Sequence, residues 1–501
     1  MYPIYSSLET LEQRAIFDPA PRGKRKIILS TNIAQTSITV PGIRYVVDCG
    51  FVKQKMYDPK THMDALVVVP LSQAAATQRA GRAGRTQQGK VYRLYSRETF
   101  EDMEPNTVPE IQRSSLIGTV LALKKIGIED VMKFEFIDPL DPELLVAAIK
   151  DLFLLGAVDD IGHLTPLGRQ LSDFPISPFL SRSLVSAALD FHCSDELLTI
   201  AAMMSVEDVF TSPRSKKKQV RADEARARFQ DSTGDHITFL NIYDEWKAQD
   251  YSRDWCFDNF IHHRAIKNAQ KIRDQLSDLM RKLKLPILKC PLTRKNRLDP
   301  VPILKSLASA FYVHTGKRHP QRPFYYPYLS SVGGNTDSVS TSDLMALHIN
   351  PQSALAAHPD SAPEWVIYND IQYVTRAQMR IVSRIDFSMV RVLLSRVKLM
   401  DIAKLAGGKT LHLEPGKPRW VSESGQESTG PSTHESLEFD KVQEIIDEQH
   451  HSEMIHTIQG DIPLESHKSA IPESKLNQAA QERERELKKA EYRERYLKRK
   501  R

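Results

Sequence analysis

The chain has 501 residues, 41% of them hydrophobic, and a formal net charge of +6, a length that predicts three or four units joined by linkers rather than one core. No stretch approaches the roughly 20 consecutive apolar residues that span a bilayer, and the opening Met1-Tyr-Pro-Ile-Tyr-Ser-Ser-Leu8 has no basic region ahead of an apolar run, so the reading is an intracellular chain with no membrane partner. Cys49, Cys193, Cys256 and Cys290 lie far apart without zinc-ligand spacing, which predicts reduced structural thiols and no metal site. Residues 1–116 hold 16 Lys/Arg against 11 Asp/Glu and residues 481–501 hold 10 against 5. Basic character thus gathers at the two ends, as in a polyanion-binding head and a basic tail.

Residues 24–30, 43–48, 66–70 and 90–95 are short β-branched runs, and 8–17 and 72–83 carry helical patterning. Together they predict an α/β unit with mainly parallel strands over residues 1–116. From Leu116 the apolar spacing turns helical, and residues 157–168 read as two short strands closing a winged helix over 117–184. Residues 185–295 read as a helical bundle with one stripe at Leu197, Ile200, Ala201 and Met204 and another at Phe239, Ile242, Tyr243 and Trp246. Short strands at 365–368 and 379–383, following a Gly/Ser-rich loop at 330–342, predict a small β-barrel of oligonucleotide-binding type over 296–410. Residues 411–501 read as a polar linker and charged tail, disordered around 421–436, with an exposed salt-bridged helix carrying Glu484/Lys488, Glu491/Arg495 and Glu494/Lys498.

The densest chemistry lies in Thr77-Gln-Arg-Ala-Gly-Arg-Ala-Gly-Arg85. On a helix, Gln78, Arg82 and Arg85 would share one face at i, i+4 and i+7, while Gly81 and Gly84 would let a ligand approach closely. No Asp or Glu occurs from Ala65 to Arg97, so these guanidiniums lack a local carboxylate and read as built to meet an external anion. Two Arg forks beside a Gln suit phosphoryl transfer, with the arginines on the γ-phosphate and the amide orienting the attacking water. A second segment, Ser30-Thr-Asn-Ile-Ala-Gln-Thr-Ser-Ile-Thr39, places short hydroxyl and amide donors after a buried strand, at the sheet edge where α/β proteins bind phosphates.

In this order and spacing the two segments resemble motifs V and VI of the DEAH/RHA family of superfamily 2 RNA helicases. The resemblance extends over residues 1–410: Arg14-Ala-Ile-Phe-Asp-Pro-Ala-Pro21 is similar to the region of motif IV, Tyr45-Val-Val-Asp-Cys-Gly-Phe-Val-Lys53 to motif Va, Gly234-Asp-His-Ile-Thr-Phe-Leu-Asn-Ile-Tyr243 to the ratchet domain and Trp365-Val-Ile-Tyr-Asn369 to the oligonucleotide-binding barrel. It implies a truncated second RecA-like domain over 1–116 and ATP with Mg2+ as cofactors. By position it implies that Phe17 stacks on the adenine, that Ser37 senses nucleotide state, and that Gln78, Gly81, Arg82 and Arg85 complete the ATP site. It further implies that Thr31 and Asn32 touch the RNA backbone and that residues 53–67 form a strand-separating hairpin. Two positions depart from the family: Gln35 stands where Glu is usual, and Pro41 where an Asp often touches the ribose.

The family's first RecA-like domain, which carries the phosphate-binding loop and the metal carboxylates, is expected ahead of residue 1, so the chain alone is predicted not to hydrolyse ATP. Gly407-Gly-Lys-Thr410 and Asp223-Glu-Ala-Arg226 mimic the missing motifs without their context. Lys317 and Arg318, beside Tyr325, Tyr326 and Tyr328, are candidate RNA contacts on the barrel. The expected activity is 3′ to 5′ RNA translocation in splicing or ribosome biogenesis, with RNA and, in some relatives, a glycine-rich-patch activator as partners. Lys216-Lys-Lys218 and Lys498-Arg-Lys-Arg501 point to the nucleus, with the cytoplasm as alternative. The rival reading is a non-enzymatic RNA- or partner-binding module.

Overall fold

Residues 1–405 are described by the computed structural model, apart from 6, 7, 9–12, 21, 22, 86, 87, 207, 212, 214, 329–344, 358–361 and 374. The Gly/Ser-rich loop, the Gly407–Thr410 decoy, the linker and the charged tail with its basic terminus lie outside the described residues, as does part of the segment patterned as a helix at 8–17. In chain order the first elements are β1 (Tyr2–Ile4), β2 (Ile28–Ser30), α1 (Ile33–Thr36), β3 (Tyr45–Asp48), β4 (Phe51–Asp58), β5 (Met63–Pro70), α2 (Gln73–Ala80), β6 (Lys90–Arg93) and α3 (Arg97–Glu101). β1 pairs with β2 and β3 with β6, both in parallel; β2, β3 and β6 fall on the predicted β-branched runs, and β1 lies outside them.

The run at 66–70 departs from that pattern. It belongs to β5, which pairs with β4 in an antiparallel hairpin of full register from Phe51↔Pro70 to Asp58↔Met63. The hairpin needs only a short local turn, whereas a parallel pair needs a long crossover. Asp58 closes that turn, accepting from the backbone N–H of Lys60 at 2.9 Å and the hydroxyl of Thr61 at 2.6 Å.

Next come α4 (Ile117–Lys125), α5 (Pro142–Leu155) and α6 (Pro166–Leu171). Asp141 caps α5 by accepting from Glu143 N–H at 2.8 Å, and Gly156 ends it in the left-handed region at φ 79°, a start and stop that follow from Asp, Pro and Gly at those places. The two strands expected at 157–168 reduce to one bridge, Val158–Leu164. Asp159 is the reason: its carboxylate accepts from the N–H groups of Ile161 at 3.1 Å and His163 at 2.8 Å, and that local turn competes with a ladder.

Helices α7 (Pro178–Leu189), α8 (Ser194–Met204), α9 (Lys216–Phe229), α10 (Asp235–Ala248), α11 (Arg253–Asp258), α12 (His263–Lys282) and α13 (Pro300–Phe311) follow. One core runs from Leu116 through Leu152, Leu184 and Leu197 to Tyr312, and a second joins Met203, Phe229, Ile242, Tyr243, Trp246 and Ile266. Of the two predicted stripes, only Met204 and Phe239 stay half-buried. Burial holds the thiols of Cys193, Cys256 and Cys290 well above the ordinary range, at about 11, 12 and 12.

The last elements are β7 (Thr315–Arg318), β8 (Tyr325–Pro327), β9 (His348–Ile349), β10 (Trp365–Tyr373), β11 (Ala377–Arg384), α14 (Ser388–Leu394) and α15 (Ile402–Leu405). They form a sheet in which β10 pairs antiparallel with β7 and β11, and β5 of the hairpin adds to β10 in parallel at Met63↔Ile371 to Ala65↔Tyr373. The hairpin tip also reaches α5. Tyr57 Oη lies 3.1 Å from His62 Nδ1, His62 lies 3.5 Å from Asp151, and Lys60 lies 3.6 Å from Glu143.

The start of α10 is locked onto β11. Asp235 accepts from Ala354 N–H and Val382 N–H, each at 2.7 Å, and His236 Nδ1 lies 2.8 Å from the Ser383 hydroxyl. Gly234 permits this approach: at φ 131° a Cβ would stand 2.4 Å from the Val382 carbonyl oxygen.

Burial pushes the His236 imidazole down to about 3. An unfolded chain protonates this residue near pH 6.5 while the folded chain does not, so its contribution to stability is intact above pH 6.5 and is lost as pH falls toward 3. The expected loss between pH 7 and pH 5 is about 2 kcal/mol for this one residue. Urea unfolding at the two pH values measures it, and His236→Gln should remove that share of the pH dependence; an identical pH dependence in the variant would contradict the assignment.

Candidate functional site

Asp48 ends β3 with a side chain of 0% exposure and accepts three hydrogen bonds: from Arg79 Nη1 at 2.8 Å, from Tyr95 Oη at 3.0 Å and from Gly50 N–H at 3.1 Å. Gly50 sits at φ 83° with the Tyr95 ring 2.8 Å from where a Cβ would be, so only glycine lets the turn close over the carboxylate. Burial and the Asp48 charge push the Tyr95 hydroxyl up to about 12, which keeps it a donor. Arg79 also donates through Nη2 to the Phe51 carbonyl at 3.2 Å and through Nε to Gln35 Oε1 at 3.1 Å. Gln35 Nε2 in turn donates to Gln78 Oε1 at 3.2 Å. The segments 30–39 and 77–85, separated in the chain, are thereby one site.

The helical face expected for Gln78, Arg82 and Arg85 does not extend that far. α2 is capped by Ser72, whose hydroxyl accepts from Ala75 N–H at 3.1 Å, and ends at Ala80. Gly81 and Gly84, poor helix formers, then carry a tight turn marked by Arg82 N–H to Arg79 O and Ala83 N–H to Ala80 O, each 3.1 Å. Arg85 folds back so that Nη1 donates to the Thr39 hydroxyl at 2.5 Å. Arg82 has no such partner: its Nε and Nη1 are covered and make no hydrogen bond among the described residues. Burial and the neighbouring Arg85 charge both lower the Arg82 pKa. Two covered guanidinium donors beside a second arginine fit an incoming anion such as a phosphate, because such donors are costly to leave unpaired.

Thr31 and Asn32 are exposed at the carboxyl end of β2, where Thr31 N–H donates to Ile4 O at 3.2 Å. Ser37 is exposed, its hydroxyl 3.4 Å from that of Thr36. Phe17 is 48% exposed, after a turn closed by its N–H to Arg14 O at 2.9 Å. Among the described residues, no hydrogen bond or ion pair ties Phe17, Lys317 or Arg318 to the two segments.

On β7, Lys317 Nζ lies 5.1 Å over the Trp365 ring, and Arg318 Nη1 donates to Ala362 O at 3.0 Å. Tyr325 is 3% exposed and donates to Pro363 O at 2.7 Å, so it packs the sheet and is not a stacking platform. Tyr328 meets the Trp365 ring edge-on at 4.9 Å. In Asp223–Arg226, Arg226 lies 4.2 Å over the Phe210 ring. Among the described residues, no group of three or more His, Cys, Asp or Glu is placed to hold a metal.

Sequence reasoning missed Arg79, Asp48 and the part played by Gln35. The signal was present: Arg79 is one residue from Gln78 and so lies about 100° around the helix, and Asp48 is a lone carboxylate ending an apolar strand. Arg79→Met should leave a buried carboxylate without its countercharge and destabilise this region by about 3–5 kcal/mol, measured as a fall in the urea midpoint; a midpoint equal to the wild type would show that the pair is not structural.

Residues 1–87 match the helicase conserved C-terminal domain. Residues 148–176 match the winged-helix part of the helicase associated domain HA2, and residues 177–239 its ratchet-like part. The chain is 40% identical over 385 residues to the pre-mRNA-splicing factor ATP-dependent RNA helicase prp22 of Schizosaccharomyces pombe, an alignment that covers 77% of this chain and 31% of that relative. No helix among the described residues is long and apolar enough to cross a membrane. With a RecA-like C-terminal domain, a winged helix and a ratchet in that order, the chain belongs to the DEAH-box RNA helicase family and corresponds to its C-terminal part.

Proposed function

We propose that this chain is the C-terminal part of an ATP-dependent RNA helicase, in which Arg82 and Arg85 meet the phosphates of an ATP gripped by a first RecA-like domain and Gln78 completes the site. The observation that carries the reading is Arg82, whose covered Nε and Nη1 have no acceptor among the described residues. In this reading Phe17 stacks on the adenine, Ser37 and Gly81 line the nucleotide, and Thr31 and Asn32 hold the RNA backbone. Mg2+ would supply charge neutralisation at the phosphates, with its ligands on the first RecA-like domain. Leu29, Tyr45, Val47 and Tyr92 are each more than half exposed on the parallel strands. Sheets of this class are normally covered on both faces, which supports the view that further protein packs here.

The proposed domains are a second RecA-like domain over 1–116, a winged helix over 117–184, a ratchet over 185–295, an oligonucleotide-binding barrel over 296–410 that uses Lys317 and Arg318 on RNA, and a charged tail over 411–501. The name of the fungal relative and the exposed Lys216–Lys218 support splicing in the nucleus, and a glycine-rich-patch activator is the partner class to test. Hydrolysis by Arg82→Ala in a form that includes the first RecA-like domain should fall about a thousandfold or more, with RNA binding retained. Measured beside it, the 501-residue chain should bind RNA and not turn over ATP. Absence of hydrolysis in the extended form that keeps Arg82, with RNA binding kept, would replace the motor by an RNA-binding module.

A further inference from the structure

Arg82 and Arg85 share the turn that follows α2, and burial together with the neighbouring Arg85 charge lowers the Arg82 pKa. The two guanidiniums therefore feel each other. Like charges repel, and a long exposed arginine side chain swings into solvent unless something holds it. For Arg85 that hold is Thr39: Nη1 donates to its hydroxyl at 2.5 Å, and neither side chain makes another hydrogen bond among the described residues. Thr39 is a firm anchor. Ile38 and Val40 on either side pack against the small core of Ile4, Leu8 and Ile16, and Ile38 N–H donates to Ile33 O at 3.2 Å. A β-branched side chain is also stiff at χ1, so the Thr39 hydroxyl keeps a settled direction. Because the tether uses Nη1 alone, the Nε–Nη2 edge of Arg85 stays open, an edge that can take two oxygens of one anion in parallel.

We propose that Thr39 is a positioning residue, which holds the Arg85 guanidinium beside Arg82 against their mutual repulsion and leaves its Nε–Nη2 edge to meet an anion. The consequence for catalysis rests on the ATP reading above: two forks brought together before the phosphate arrives spare the site the ordering that a loose side chain would cost. The two arginines are kept in place by different means. Arg82 is held in covered surroundings, with Nε and Nη1 lacking an acceptor among the described residues. Arg85 is exposed and depends on one hydroxyl. Loss of that hydroxyl should release Arg85 and leave the Arg79–Asp48 pair undisturbed, because Thr39 bonds to neither member of it.

The test is labelling of arginines by phenylglyoxal in the 501-residue chain, with each site read by mass spectrometry of its peptide. Thr39→Val keeps the shape of the side chain and loses the acceptor. In it Arg85 should react about tenfold faster, the factor expected for losing a hydrogen bond to a charged group, at unchanged Tm and with unchanged labelling of Arg79. Thr39→Ser, which keeps the hydroxyl, should label as the wild type does. Unchanged labelling of Arg85 in Thr39→Val, or equal acceleration in Thr39→Ser, overturns the tether. In a form that includes the first RecA-like domain and hydrolyses ATP, Thr39→Val should lower kcat about tenfold with little change in KM, and Thr39→Ser should restore it. Faster labelling with kcat unaltered would keep the tether but remove Arg85 from the reaction, so failure of the ATP reading is distinguishable from failure of the positioning.

Discussion

A carboxylate with no exposure and a guanidinium 2.8 Å away hold the site together. Asp48 ends a strand, Arg79 lies on α2, and Gln35 and Phe51 supply the remaining acceptors for the arginine. Removing two charges from water is expensive, and only dense hydrogen bonding offsets it. Here the carboxylate takes three donors and the guanidinium finds three acceptors. The pair therefore does more to specify geometry than to add stability: it dictates how far α2 stands from β3 and which way the polar residues around it turn.

Arg82 and Arg85 inherit their positions from that node, and their inequality is informative. Arg85 is tethered to Thr39, which joins the segment after α1 to the turn after α2. Arg82 keeps two covered donors with nothing among the described residues to receive them, a condition that proteins tolerate where a ligand completes the bonding. The neighbouring Arg85 charge adds to the positive field at that point.

Farther along, the hairpin ties the regions to one another. Its β5 arm extends the sheet of β10 and β11, while its tip meets α5 through His62 and Lys60. α10 is locked to the same sheet through Asp235 and His236. A displacement of the hairpin must consequently strain either the sheet or the contact with α5, because packed elements resist continuous deformation.

Sequence by itself determined the element types wherever a local rule was strong. Parallel strands followed from β-branched runs, α5 from its Asp-Pro start and Gly stop, and the helical bundle from its apolar stripes. The polar segments 30–39 and 77–85 stood out as candidates because their residue types and the absence of local carboxylates need no coordinates to read. Tertiary structure decided the rest, through where local turns ended elements and which distant segments met. The run at 66–70 joined the hairpin that the family resemblance implies over 53–67 and not the parallel sheet its β-branched pattern suggests, and Arg82 and Arg85 left the helix because two glycines ended it. Tyr325 became core once β7 and β10 closed over it. Which residue faces Asp48, and which atom Gln35 shows to Gln78, is fixed by hydrogen-bond partners 31 and 43 residues apart, a range at which periodicity and propensity carry no information.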